Sequence, residues 1–319
     1  MIVVRRLGKR LFLTLLTLWL VATLIFFLAE VLPGDLGRTL LGPEATPAQV
    51  AHLDAQLGVN RPLLTQYISW LGNVVQGNWG KSYLTQQSVL SVVVSRLGNS
   101  MLLAAFSLLM VIPLALIAGT VAALSRDRFA DRAITVGAQG LIAIPEFVSA
   151  IILLLIFSVV FHVFPTDAQI PSGAGVPDAL SHIFLPAVTA GVFVFAYFTR
   201  MVREGMIDAL SSAYARTAVL KGVPRRTVVW KHAFRNALLP TVAVIGAQIG
   251  GFGSLVVIES IFDYQGIGRL ILQSANGHDV PMLEGAVLAV ALVFILANLG
   301  ADILYGVLDP RIRRRRQVA

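Results

Sequence analysis

The chain has 319 residues, 56% of them hydrophobic and only 13% charged, about half of the roughly 25% charged residues usual in a soluble domain. That composition excludes a soluble globular protein, and the absence of cysteine excludes a disulfide framework and a thiolate metal site. The net charge of +8 is interleaved with long apolar runs, which speaks for basic loops at a membrane surface and against nucleic acid as a partner.

In chain order, residues 1–10 are basic and lead into an apolar run, 11–32, that is too long for a signal-peptide core and has no small-residue cleavage site after it. It reads as a retained first span. A helix crossing hydrocarbon needs roughly 20 mostly apolar residues, because its backbone polar groups must be satisfied within the segment. Five more stretches qualify: 100–124, 133–164, 183–203, 238–260 and 283–308. Pro113 and Pro145 fall inside spans and are expected to kink them, while Pro186 and Pro240 stand near span starts, where proline costs little. Gly246 and Gly250, followed by Gly251 and Gly253, favour close helix approach.

Between the first two spans, residues 33–99 form a segment long enough to hold structure. Thr46, Pro47 and Gln49 match an N-cap, a first-turn proline and a capping-box partner, Val50, Leu53 and Leu57 follow at helical spacing, and Gly58 closes the piece. A second helix is expected from Pro62, with an apolar stripe of Leu64, Tyr67, Ile68, Leu71 and Val75 ending at Gly77. Both read as amphipathic helices on the membrane surface or capping the bundle.

Lys and Arg retained on the cytoplasmic side set the orientation. Residues 1–10, 125–132, 200–235 and the tail hold 20 of the 25, so both termini and these loops are expected in the cytoplasm. The long connection 33–99 is then external.

Signals for chemistry are sparse. Gly77, Gly80, Lys81 and Ser82 resemble the end of a phosphate-binding loop, yet Val75 stands where its first glycine is required. Neither HExxH nor GxSxG occurs. Among ionisable groups only Glu146 falls well inside a span, where it either lines a polar pathway or pairs within the bundle. Glu30, Glu259, Glu284 and Asp302 lie near span ends, where solvation or a partner such as Arg269 accommodates them. That scarcity, without a convincing inverted repeat, speaks against an ion-coupled carrier.

The connection 205–235 is the most informative. Met206, Leu210, Tyr214 and Ala218 recur at four-residue spacing with Ile207 and Thr217 alongside, and Gly222 and Pro224 stop the pattern. Periodicity alone predicts one amphipathic helix resting on lipid headgroups. The residues themselves, AYARTAVLKGVPRRTVVWKHAFRNALLP from Ala213 to Pro240, closely resemble the signature loop of ABC importer permeases, which is built on a Glu-Ala-Ala pattern followed by a glycine. Here Arg216, Thr217 and Ala218 take the three positions and Gly222 is the glycine. The departures at Arg216 and Thr217, and the displaced LP at Leu239 and Pro240, look like those of the dipeptide and oligopeptide branch. The resemblance extends to LPGD at Leu32, LGPEATPAQV at Leu41, QLGVNRPLLTQY at Gln56, ESIFDYQGIGRL at Glu259 and LYGVLDPRIR at Leu304, nearly the whole chain.

This resemblance implies an all-α membrane protein of about six transmembrane helices with the type I ABC importer permease fold: a cytoplasmic N-terminus (1–10), a first span (11–32), an external segment (33–99) and a permease core (100–319) that includes the loop 205–235 and a basic tail (309–319). It implies the first of two permease subunits in the bacterial cytoplasmic membrane. The partners implied are a second homologous permease, two cytoplasmic ATP-binding subunits and an external solute-binding protein, with ATP and Mg held by the ATP-binding subunits and no cofactor or catalytic residue in this chain. The loop then forms a coupling helix docking on an ATP-binding subunit through Tyr214, Ala215, Arg216, Thr217, Ala218, Lys221 and Gly222. Glu146 is a candidate for the translocation path by its place inside a span, not by the resemblance. The cargo implied is a di- or oligopeptide, with nickel or glutathione as alternatives. Outside the family, the competing reading is a stand-alone secondary carrier.

Overall fold

The computed structural model describes residues 2–30, 41–42, 44–57, 61–171, 173–237 and 255–308. Within them the regular structure is helical, apart from an isolated bridge between Lys81 and Ser88. In order these are α1 (Ile2–Glu30), α2 (Pro47–Leu57), α3 (Leu63–Val75), α4 (Val89–Leu124), α5 (Phe129–Ala143) and α6 (Glu146–Leu154), which continues as a π-helical stretch Leu155–Val160. There follow α7 (Val176–Ser211), α8 (Ala213–Leu220), α9 (Arg225–Thr227) running into a π-helical stretch Val228–Phe234, then α10 (Leu255–Ile261), α11 (Ile267–Asn276) and α12 (Val280–Leu308). Four of these, α1, α4, α7 and α12, are long and apolar enough to cross a membrane, and α5 with α6 makes a fifth if the bent pair is one span. The stretch 238–260 falls largely outside the described residues, as do Gly58, Gly246, Gly250 and the tail 309–319.

Local sequence explains where the helices break. The stretch 133–164 is not one rod: α5 and α6 are bent by 101°. Ile144 is extended at φ −85°, ψ 122°, the conformation that a following proline imposes, and α6 restarts at Glu146 behind Pro145. By contrast α4 runs on through Pro113. Helix α7 begins at Val176, so Pro186 lies in its interior rather than near its start.

The chain divides into two compact units. The first comprises Met1–Ser100 with Gln265–Ile295. Its α2 carries the capping box read from the sequence: the Thr46 N–H donates to Gln49 Oε1 at 2.9 Å and the Gln49 N–H to Thr46 Oγ1 at 3.4 Å. Helix α3 packs on α1 through Tyr67 of the expected stripe and Trp70 beside it. Tyr67 lies 5.4 Å from Phe26 of α1 between ring centroids and its hydroxyl meets that of Thr23 at 2.7 Å, whereas Leu64, Ile68 and Val75 are exposed. The core of this unit gathers Val89 and Val93 of α4, Ile267 and Leu270 of α11, and Met282, Ala286 and Ala289 of α12. Around it, buried Asp279 accepts from the Ser82 hydroxyl and, at 3.0 Å, from the Tyr83 N–H. Ser100 Oγ accepts from the first N–H of α11, that of Ile267, at 2.8 Å, which meets an orphan donor of the helix start. Glu284 in this unit and Glu259 in the other are buried, so solvation does not accommodate them.

The second unit comprises Met101–Tyr264 with Leu296–Ala319, and α7 is its axis, packed on α5, α6, α8, α10 and the π-helical stretch Val228–Phe234. Lipid offers apolar side chains no reason to prefer one another over acyl chains, so close backbone approach through small residues has to hold such helices. Gly119 of α4 provides it: a Cβ there would sit 2.6 Å from the Thr199 carbonyl oxygen and 2.7 Å from Val202 Cβ. Gly191 faces Val111 and Ser107 in the same way, and Gly205 lies against the Ala237 carbonyl. Gly119→Ala is therefore expected to destabilise the protein by about 1–3 kcal/mol through overpacking, read as a lowered thermal midpoint in detergent. Gly137→Ala, whose methyl meets open space, should be neutral or stabilising, and equal midpoints for the two would contradict this account of the α4–α7 contact.

Candidate functional site

The connection between α7 and the π-helical stretch is built from its two ends inward. Ser212 stops α7 by turning extended, at φ −68° and ψ 156°. Its hydroxyl donates to the Ala209 carbonyl at 2.5 Å and accepts from the Ala215 N–H at 3.4 Å. One side chain thus closes α7 and caps α8. The sequence pattern of Met206, Leu210, Tyr214 and Ala218 therefore belongs to two helices, not one. Periodicity overlooked the break because serine is a weak interior residue but a strong cap.

At its other end α8 closes on a Schellman motif. The Gly222 N–H donates to the Val219 carbonyl at 3.0 Å and the Val223 N–H to the Ala218 carbonyl at 3.1 Å, with Gly222 left-handed at φ +75°. Nothing lies within 4 Å of the place a Cβ would occupy on Gly222, so its constraint is conformational and not steric. Pro224 then starts α9, accepting from the Thr227 and Val228 N–H groups at 2.9 and 3.1 Å.

Beneath this connection is an apolar core of Ala123 from α4, Val202, Met206 and Ala209 from α7, and Val229, Ala233 and Ala237 on the returning segment. Gly205 permits the return, since its Cβ position lies 3.1 Å from the Ala237 carbonyl oxygen. The two limbs that bracket α8 are thereby locked together.

The seven residues expected to form the contact divide by direction. Tyr214, Arg216, Thr217, Lys221 and Gly222 are exposed, Ala218 is half-buried, and Ala215 is only 2% exposed. Ala215 therefore seats α8 on the core instead of meeting a partner. The resemblance did not single out Val219 and Leu220, which are 57% and 87% exposed. Their signal was present in the sequence: two apolar residues just before a helix-stopping glycine, off the four-residue stripe. An open groove of about 640 Å³ runs along this side, with Arg216, Leu220, Val223, Arg225 and Val228 on its walls. Exposed apolar residues flanked by cations thus form one surface patch on a helix fixed at both ends. Glu146 is not part of it. It is half-buried and opens α6 just past the 101° bend, on a different element.

Along most of its length the chain is similar to known proteins. Residues 111–314 match the family model of the binding-protein-dependent transport system inner membrane component, and residues 3–104 match the model of the N-terminal part of such membrane components. The glutathione transport system permease protein GsiC of Escherichia coli strain K12 is 36% identical over 307 residues, which is 96% of this chain and 97% of the relative. The proteins of that name from Shigella dysenteriae serotype 1 and Shigella flexneri serotype 5b are similar to the same extent.

The capping geometry carries its own test. A side chain with a Cβ at Gly222 must adopt a conformation costing about 1–2 kcal/mol, which corresponds to a 5- to 30-fold shift in a local equilibrium. Gly222→Val is expected to speed amide hydrogen exchange in α8 by about that factor, while Gly222→Asn, which tolerates the left-handed region, has a smaller effect. Identical exchange in both variants would show that Gly222 is not the stop.

Proposed function

Because the chain belongs to the family of binding-protein-dependent transport system inner membrane components, as a permease subunit of an ABC importer, we propose that α8 is the helix through which an ATP-binding subunit drives it. The observation that carries this is the combination of exposed Leu220 and Val219 with Arg216 and Lys221 on a helix capped at both ends and seated on the core. A groove on a soluble partner accepts such a helix through its apolar face and sets its register through the flanking cations. Tyr214, Thr217 and Ala218 complete the contact, Gly222 fixes where it ends, and Ala215 holds the helix from below.

In this reading the loop 205–235, the N-terminus and the tail 309–319 are cytoplasmic, supported by the clustering of Lys and Arg in these segments. The chain forms half of the pathway, beside a second homologous permease. Two ATP-binding subunits hold ATP and Mg, and an external solute-binding protein delivers the cargo. Catalysis of ATP hydrolysis resides in those partners. A di- or oligopeptide is the cargo class proposed; glutathione, named for the relatives, is itself a small peptide, and nickel is the alternative. Glu146, at the bend of α5 and α6, is proposed to face the path.

The complex reconstituted in liposomes with all its partners is expected to take up labelled peptide or glutathione only with ATP, and this chain alone to be inert. Leu220→Asp and Arg216→Glu, which oppose the apolar face and the charge, should each weaken co-purification of the ATP-binding subunit by about tenfold or more, as loss of an interface anchor does. Undiminished co-purification in both variants would contradict the assignment of α8, and uptake by the lone chain without ATP would favour a secondary carrier.

A further inference from the structure

Arg203 lies on α7, eight residues before its last residue Ser211, roughly 12 Å along an unbroken helix. Asp131 lies in the first turn of α5, just after the four-residue turn that ends α4. The two side chains form a two-pronged ion pair, with Arg203 Nε 2.5 Å from Asp131 Oδ1 and Nη2 2.7 Å from Oδ2. The carboxylate is 4% exposed and the guanidinium 22%. Both carboxylate oxygens are used twice: Oδ1 also accepts from Thr135 Oγ1 at 3.2 Å and Oδ2 from the Asp127 N–H at 3.0 Å. The same carboxylate therefore holds the α4–α5 turn in shape, including Asp127 at φ +65°.

The position of this pair matters more than its strength. At the same level α7 meets α4 through Gly119 and the returning segment through Val202, Met206, Val229 and Ala233. Those contacts are apolar or small, so they hold the helices close without a directional bond to set their register. A planar guanidinium fork on a buried carboxylate does set it, because both bonds must keep their geometry together. From Asp131, α5 leads without interruption to the 101° bend and to α6.

We propose that Asp131 and Arg203 are positioning residues that form a rigid joint, through which displacement of α8 is delivered to the bent pair α5 and α6. The inference rests on the reading of α8 as the contact with the ATP-binding subunit. A push on α8 moves the end of α7, the fork drags the start of α5 with it, and the break at Ile144 and Pro145 turns that pull into a change of bend. Loss of the fork leaves α7 and α5 packed but free to slip.

The test uses the whole transporter in liposomes and reads peptide uptake per ATP hydrolysed, with assembled complex quantified separately. Asp131→Asn removes the charge with little change in shape, and Arg203→Lys retains the charge but removes the fork. Each is expected to lower uptake per ATP by about tenfold, within the usual range for coupling between sites, at matched amounts of complex. A merely structural role would lower the amount of complex and leave that ratio alone, and an unchanged ratio in both variants overturns the joint. Since the chain has no cysteine, Asp131→Cys with Arg203→Cys can be bridged by a short bis-methanethiosulfonate linker and released with reductant in one sample. Bridging should restore uptake per ATP and release should lower it; a ratio indifferent to bridging also overturns the proposal. A wild-type complex that hydrolyses ATP without import removes the reading of α8 and the joint with it, whereas coupled wild type beside coupled variants removes the joint alone.

Discussion

In hydrocarbon, apolar side chains have no better company in a neighbouring helix than in lipid, so a helix stays in place by close backbone approach or by polar contacts that are fully satisfied. Helix α7 meets this constraint twice. Gly119 and Gly191 bring α4 against it with no room for a Cβ, and the Asp131 carboxylate, with four donors, ties α5 to it. The placement of α8 follows, since it is separated from α7 by Ser212 alone. A surface fixed in this way can bear force, which a loop cannot.

The all-helical membrane character was legible because hydrophobic length and charge bias are properties of composition over windows of about 20 residues. The capping box at Thr46 and the stop at Gly222 were legible because they depend on residues within five positions of each other. What sequence reasoning missed is set partly by a local ambiguity and partly by tertiary contacts. The division at Ser212 depends on whether a serine caps or continues a helix, which the four-residue stripe running across it disguised. Asp131 passed as one charge among several in a basic loop, because its partner is 72 residues away. The apolar stripe of α3 included Tyr67, which meets α1, but not Trp70 beside it, which joins the same contact.

The proposed role of α8 requires the permease to transmit displacement through its fold. The proposed contact surface on α8, the limbs of α7 and the returning segment, and the bend between α5 and α6 all lie within one compact unit of the chain.

Ser212 and Gly222 end α8 by local bonds made within the chain, irrespective of any partner. An eight-residue helix is far too short to persist in water by propensity alone, so without these two stops it would have to fold each time it was bound. Here the ordering entropy is settled during folding of the permease, and association is spared that cost. Binding through the proposed contact on α8 should then resemble rigid-body docking rather than coupled folding, with a heat-capacity change set by the buried apolar surface and not by helix formation.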